Sequence, residues 1–576
     1  MSFFLCVASL LVAPTQAANP ITLDAYVASC AGEDPEVVSA RWPLTVAEAS
    51  GFEASSKLEE VEAFLTALES LPAADRLSRA VFGKTTEGRE LTVVTVRGAG
   101  EGKRERVLIN ANIHGGEIEG KVAAQILLRE LALGYHAELL ESLEIAFVPV
   151  FNADGNDRIS RRNRASQNGP DGGVGERANA GGLDLNRDFV KLETPEVRAL
   201  TTLIRETAPR VFMDLHTTNG SAHGYDLTYA SSLSPNVHPR LSCYMAQSFF
   251  PRVRRTLEER DQFHIFDYGN FGYAPRAEGS RGKPGEPIRW STYDSRPRFG
   301  TNLMGLRGTV SILSEAYSYL PYERRVRATY AFVLESLRVL ASDADQLEAI
   351  TDMEAPIAES LAEVCAMPYR RNSLGVEAKL DSVGTLPVRV SSYSEVTVDV
   401  DPKAPGVQGM ERRIAAPADS AREVSMDVQS RFRAGRECPY GSEFLILEPS
   451  AEVLDTLAIH LGEEALRRTG PEAEELTVSA FLVEEASLSD RVFQGHREVS
   501  LKGSWGERTL TCPPGALRVT ATRLVAHLLH PESDDSMTTW NFFDRELFPA
   551  GSQGSDDPDS ASPAKVLRTH PVHMIQ

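Results

Sequence analysis

Two short stretches decide the reading: Arg106–Ala111 (RVLINA) running into His114-Gly115-Gly116-Glu117, and Val211–Leu215 (VFMDL) running into His216. Each apolar run has the length and texture of a buried strand, and each releases its polar residues at its carboxyl end. Two histidines and one carboxylate so placed make a three-donor set for zinc with one coordination position left over. That is the arrangement of a catalytic rather than a structural zinc site. A third apolar run, Thr309–Ser314 (TVSILS), ends in Glu315, a carboxylate suited to act as general base.

Taken alone, H-x-x-E is a weak pattern. Glu117 could simply open a helix, where a carboxylate in the first turn favours the dipole. Glu315 alone reads as a solvated residue at a strand end. The neighbouring motifs give these residues their weight. Asn152-Ala153-Asp154-Gly155 follows the strand Ile145–Phe151; the cluster Arg158, Arg161, Arg162, Arg164 comes next; then Leu183-Asp184-Leu185-Asn186-Arg187-Asp188-Phe189.

In this order the motifs resemble the zinc carboxypeptidase (carboxypeptidase A-like) family over roughly residues 80 to 340. Later segments, Val492–His496 (VFQGH) and Pro531–Ser536 leading into Trp540-Asn541-Phe542-Phe543, resemble large bacterial members. The resemblance implies one zinc ion on His114, Glu117 and His216, with Glu315 as general base and Asp184 holding the first histidine's other ring nitrogen. It implies Arg161 as the guanidinium facing the developing oxyanion, and Asn186 with Arg187 as the pair that grips the substrate's terminal carboxylate. Bidentate geometry explains Arg rather than Lys there. Asp214, two residues before His216, is a second candidate for supporting a ligand; it reads equally as an Asp bonded to a loop. The family's substrate-capping tyrosine falls near Tyr293 by spacing. Arg296, Arg298 or Asn302 are alternatives for that wall of the pocket, and Gly300 lies near its floor by counting.

Composition bounds the rest. The 576 residues carry a formal charge of −21, which argues against nucleic acid or an anionic membrane as partner. At 42% hydrophobic and 24% charged the chain is ordinary globular material, long enough for two or three domains. Ser2–Ala13 has the length of a signal h-region and is too short to span a bilayer, so residues 1–17 read as a signal peptide. The expected location is therefore periplasmic or secreted, with no stable membrane anchor, although no Lys or Arg precedes the run. Six scattered cysteines form neither a metal cluster nor a dense disulfide framework.

Helical periodicity marks 57–71. From there strands at 106–112, 144–151, 210–215 and 308–314 alternate with helices at 118–133, 194–206, 237–260 and 322–341. The fold expected is α/β: a mixed, mostly parallel central sheet flanked by helices, over a catalytic domain of residues 18–345. Gly169–Gly182 and Gly269–Gly300 read as loops, the second a mobile wall of the cleft. Residues 355–550 read as one or two β-rich accessory domains with a helix at 451–466, and 551–576 as a flexible tail.

The leading functional expectation is a metallocarboxypeptidase acting on peptides with a free carboxylate. A zinc amidohydrolase for acylated amino acids or cell-wall peptides is the second reading. The third is a binding protein on an idle peptidase fold, against which the intact donor set and Glu315 argue, since a binding module needs no base.

Overall fold

The computed structural model describes residues 19–30, 33–71, 74–273, 287–352, 372–398, 412–417, 420–543 and 564–575. Residues 1–17, the expected signal segment, lie outside them. Among the described residues no helix is long and apolar enough to cross a membrane.

Ten strands build the part that carries the donor set: β1 (Leu77–Lys84), β2 (Glu90–Val96), β3 (Glu105–Ala111), β4 (Leu143–Val148), β5 (Val211–Thr218), β6 (Leu227–Ala230), β7 (Ile265–Asp267), β8 (Asn270–Tyr273), β9 (Pro287–Ser291) and β10 (Val310–Tyr317). Eight of them form one mixed sheet in the order β1-β2-β4-β3-β5-β10-β6-β7. The centre β4-β3-β5-β10 is parallel, and β10 meets β6 antiparallel. Every residue of β5 is buried, as a central strand covered on both faces requires.

Side-chain alternation divides those central strands between two cores. Val211, Met213 and Leu215, with Val107 and Ile109, pack against residues of helices Glu119–Ala132 and Tyr322–Ser342. Phe212 and Leu108 face the other way, into a core shared with helix Pro195–Thr207. Local signals set that helix: the Thr194 hydroxyl accepts from Val197 N–H, Pro195 opens it, and left-handed Ala208 ends it.

The second core does not stop at the expected domain boundary. Phe444, Leu457, Leu517, Leu528, Trp540 and Met574 belong to the same buried cluster as Phe212 and Leu303. The strands at 384–390 and 422–429 also extend the small sheet of β8 and β9, with Asp427 opposite Arg289. The downstream region thus shares cores and a sheet with the donor-bearing region.

Three expectations need correction. The ends of the Gly269–Gly300 stretch are strands, β8 pairing antiparallel with β9 from Asn270↔Ser291, because Phe271 and Trp290 supply apolar residues for a small core. The helix at 451–466 ends at Leu461, where Gly462 takes φ +89°. The expected tail at 551–576 is not flexible throughout: Ala564–Ile575 is a strand between Glu443–Ile446 and Glu474–Phe493 in a six-stranded sheet. Buried Val572 and Met574 anchor it, while 551–563 lie outside the described residues.

Candidate active site

The donors come from two neighbouring strand ends. Asn112, just past β3, takes φ +63°. Its amide nitrogen donates to the carbonyl oxygens of His114 (3.2 Å), Gly115 (3.2 Å) and Glu117 (3.0 Å), which closes the loop into a fixed cup. The glycine at 115 is a packing requirement. A Cβ there would sit 2.3 Å from the Gly155 carbonyl carbon and 2.5 Å from Asn156 N, so only glycine lets the two loops meet.

Within the cup, Glu117 Oε1 lies 3.1 Å from His114 Nδ1 and Oε2 lies 2.9 Å from His216 Nδ1. The three donor atoms fall within 4.8 Å of one another, and all three side chains are buried. Each histidine turns its other ring nitrogen to a carboxylate: His114 Nε2 is 3.0 Å from Asp184 Oδ1, and His216 Nε2 is 3.0 Å from Asp214 Oδ2. Carboxylates behind both ligands fix ring orientation and raise basicity, as metal-ligating histidines require. Asp214 thus stands where a supporting residue would, and its other oxygen accepts from Asn110 Nδ2 at 2.9 Å.

The electrostatics suit a cation. Burial alone would raise Glu117, yet His114 and Arg164 beside it hold its carboxyl well below the usual range. Burial alone would lower His216, yet Asp214 and Glu117 hold it well above the usual imidazole range. The carboxylates Glu117, Asp184 and Asp214 bracket the two imidazoles, and the resulting set of three N/O donors fits a divalent ion.

A cleft of about 190 Å³ opens beside the donors, lined among others by Arg164, Arg177, Asn186, Arg187, Tyr293 and Glu315. Burial pushes Glu315 up to about 8; His216 pulls it down and Glu117 adds to the rise. Arg187 lies with its guanidinium carbon 4.0 Å from the centre of the Phe299 ring, and donates 2.7 Å to Asn186 O. Asn186 Oδ1 accepts from Gly300 N at 2.9 Å. Tyr293 is held by its hydroxyl 3.3 Å from Thr301 Oγ1 and by edge contacts with Tyr268 and Phe299; burial raises its phenol. Of the alternatives, Arg298 is buried against Asp535, Arg296 pairs with Asp294, and Asn302 caps the 294–296 carbonyls.

Arg161 is not in this cleft, which corrects the expectation that it faces the reacting carbonyl. It lines a separate small hollow with Asn163, Pro170 and Val174, and its three guanidinium nitrogens are buried without a hydrogen-bond partner. Arg164, at φ +48°, also borders that hollow, but of the two arginines it alone lines the cleft. Arg164 occupies the cleft instead: Nη1 is 2.9 Å from Glu117 Oε1, and Nη2 donates to Thr217 O at 2.6 Å. Arg177 joins it, 3.3 Å from His114 Nδ1 and 2.8 Å from Asp184 Oδ2. Sequence reasoning placed Arg164 in the right cluster without a role, and missed Arg177 inside the glycine-rich loop.

The second His/Cys/carboxylate group among the described residues is Cys438, His530 and Glu532. Both Glu532 oxygens are already engaged, one by Arg436 at 2.7 Å and one by Trp505 Nε1 at 2.7 Å, so it makes a poorer cation site.

Residues 61–281 match the family model of zinc carboxypeptidases. Human carboxypeptidase D is 30% identical over 199 residues, 27% of this chain and 14% of that protein. Human carboxypeptidase Z is 34% identical over 130 residues, 21% of this chain and 19% of that protein. The chain thus spans less than a fifth of the length of these curated relatives. Among solved structures, a metallo-carboxypeptidase from Pseudomonas aeruginosa in complex with (2-guanidinoethylmercapto)succinic acid is 20% identical, with 51% of this chain and 70% of that chain covered and a TM-score of 0.37. The family match includes the donor set, Asp184, Asn186 and Arg187, and stops before Tyr293 and Glu315. Residues 61–281 thus carry the similarity of this chain to zinc carboxypeptidases.

Proposed function

We propose that this protein is a zinc-dependent metallocarboxypeptidase that hydrolyses the C-terminal peptide bond of substrates with a free carboxylate. The observation that carries the reading is one cleft lined at once by the His114–Glu117–His216 donors, by Glu315, and by Asn186 with Arg187.

When bound at those three residues, a single zinc ion supplies Lewis acidity and makes water a nucleophile near neutral pH. The chain's own residues do the rest. Glu315 takes a proton from the attacking water and passes it to the leaving amine. Its burial lifts its proton affinity, which suits a group that must both accept and return a proton near neutrality. Arg164 and Arg177 hold positive charge beside the donors, where negative charge develops on the scissile carbonyl oxygen. Arg187, flattened on Phe299, offers its fork to the terminal carboxylate, and Asn186 sets the height of that fork through Gly300. Tyr293 closes the side of the pocket. Export from the cell belongs to the same proposal and is supported by the disulfide-bonded Cys243, since disulfides persist in oxidising compartments.

The test compares metal-quantified wild type with Glu315→Gln on peptides bearing free or amidated C-termini. Stepwise loss of residues from free termini alone, abolished in the variant and by chelation, is the expected result. Bound zinc with cleavage of acylated amino acids and of no peptide would replace this reading with an amidohydrolase. Absence of zinc binding would overturn the catalytic account.

A further inference from the structure

Two motifs have no part in the chemistry above: 492–496 and 531–543. Both lie in the downstream region, and both end against the loops that hold Asn186 and Arg187.

The first forms the tip of the hairpin joining strands Glu474–Phe493 and His496–Cys512. Its two turn residues, Gln494 and Gly495, take φ +50° and +79°. A two-residue loop with positive φ at both positions is the tight, twist-matched hairpin turn, so the tip is stiff. Gln494 Oε1 accepts the backbone N–H of Asp184 at 2.9 Å. Two residues on, His496 Nε2 lies 2.6 Å from Glu193 Oε1. The hairpin therefore grips the 184–193 loop at both ends.

The second motif grips the opposite wall. Asp535 Oδ2 accepts the backbone N–H of Arg298 at 2.7 Å, and Oδ1 lies 2.8 Å from Arg298 Nη2 and 3.1 Å from its Nε. The same guanidinium sits 4.7 Å from the Trp540 ring centre and 5.2 Å from that of Phe493, which ties the two motifs together. Next to Arg298 are Phe299, on which Arg187 lies, and Gly300, which fixes Asn186. Asp184, at the other wall, backs the ligand His114.

We infer that the C-terminal sheet is a working part of the active site, with Gln494 and Asp535 as positioning residues. Gln494 sets Asp184 for metal retention, and Asp535 sets the Phe299 platform that aims Arg187 at the substrate carboxylate. Docking for its own sake needs only the shared apolar core. Gln494 and Asp535 each instead accept a backbone N–H beside the cleft, that of residue 184 and that of residue 298, one position before Phe299. The substrate-binding half of this inference rests on the function proposed above; the metal-retention half does not.

The experiment uses the full chain as wild type, Gln494→Ala, Gln494→Glu and Asp535→Asn. Asp455→Asn serves as control, because it breaks an exposed ion pair to Arg198 (2.6 Å) between the same two regions away from the cleft. Three quantities are read: amide hydrogen exchange of residues 183–189, zinc affinity by chelator competition, and kcat and KM separately at saturating zinc. In Gln494→Ala the Asp184 amide should exchange at least about tenfold faster, because its acceptor is gone. Zinc affinity should fall about tenfold, the usual effect of loosening a group behind a ligand. KM for free-carboxylate peptides should rise about fivefold in Gln494→Ala and Asp535→Asn with kcat nearly constant, as loss of one oriented charged contact gives. Gln494→Glu, which keeps an acceptor oxygen, should recover most of the exchange protection. Asp455→Asn should change none of the three.

A folded Gln494→Ala with wild-type exchange and zinc affinity would overturn the inference, as would an Asp455→Asn that mimics it. If Asp535→Asn fails to fold, the partly exposed Gln494 decides the matter alone. If the wild type cleaves no peptide, exchange and zinc affinity still decide for or against positioning, while the catalytic reading fails separately.

Discussion

Glu315 and His216 are register partners on the parallel strands β10 and β5, and Glu315 also faces Thr228 across β6. The proposed base and a metal ligand are therefore spaced by the hydrogen-bonded ladder itself. Such a frame cannot follow a shortened side chain. Glu315→Asp draws the carboxylate back by about one methylene, and a displacement of about 1 Å costs on the order of 10² in rate. The expected result is kcat reduced about a hundredfold with zinc content unchanged; a variant with near-normal kcat would mean that Glu315 is not the proton carrier.

Arg164 and Arg161 separate by a simple comparison. Arg164→Ala removes the guanidinium that touches Glu117 and Thr217 O, and kcat/KM should fall about 10²- to 10³-fold, the range for losing one charge-stabilising donor. Arg161→Ala removes a buried group without hydrogen bonds, and kcat/KM should stay within about threefold. Steady-state kinetics on both variants check this, and the reverse ranking would return the oxyanion role to Arg161.

Asp214 behind His216 should matter as much as Asp184 behind His114. Asp184→Ala and Asp214→Ala are each expected to weaken zinc binding about 10- to 100-fold. Competition against a fluorescent chelator measures this directly. An unchanged affinity in Asp214→Ala would reduce that residue to a strand-end hydrogen bond with Asn110.

Acid should loosen the join between the two regions through His460. This fully buried imidazole reaches Val190 O with Nε2 (3.2 Å) and lies 3.3 Å from Arg307 Nη2 through Nδ1. Burial first, and Arg307 second, lower it to about 3. The unfolded chain takes up a proton near the ordinary histidine value of about 6.5, whereas the folded chain does not, so stability falls as pH drops from about 6.5 towards 3. At pH 5 the loss from this one residue is about 2 kcal/mol. Urea unfolding at pH 7.5 and pH 5 should show that difference shrinking by about this amount in His460→Gln. A pH dependence identical to wild type would show that His460 does not carry it.

The donor set was legible because strand-end ligands follow continuous apolar runs, and such runs are conspicuous. The parallel centre of the sheet was legible for the same reason. Arg164 was not, since spacing within an irregular turn does not say which of two arginines three positions apart faces inward. Asn112 was hidden because its work depends on a left-handed backbone that no pattern announces. Asp214 was visible, but a carboxylate at a strand end has many ordinary uses until a ring nitrogen is found 3.0 Å away. In the downstream half, alternation revealed strands with a buried face without revealing against what. The shared core of Phe212 with Phe444 and Met574 is a long-range fact that local periodicity does not contain.

The strand Ala564–Ile575 lies between its neighbours rather than at an edge, and one neighbour, Glu474–Phe493, ends at the Gln494 turn. During synthesis His114, Glu117 and His216 leave the ribosome early, while the strand that completes the sheet behind Gln494 emerges far later. A partly made chain therefore holds every proposed metal ligand without the finished brace beneath Asp184. Readiness for catalysis is tied to the order in which the polypeptide is born, with contacts of the largest sequence separation closing last.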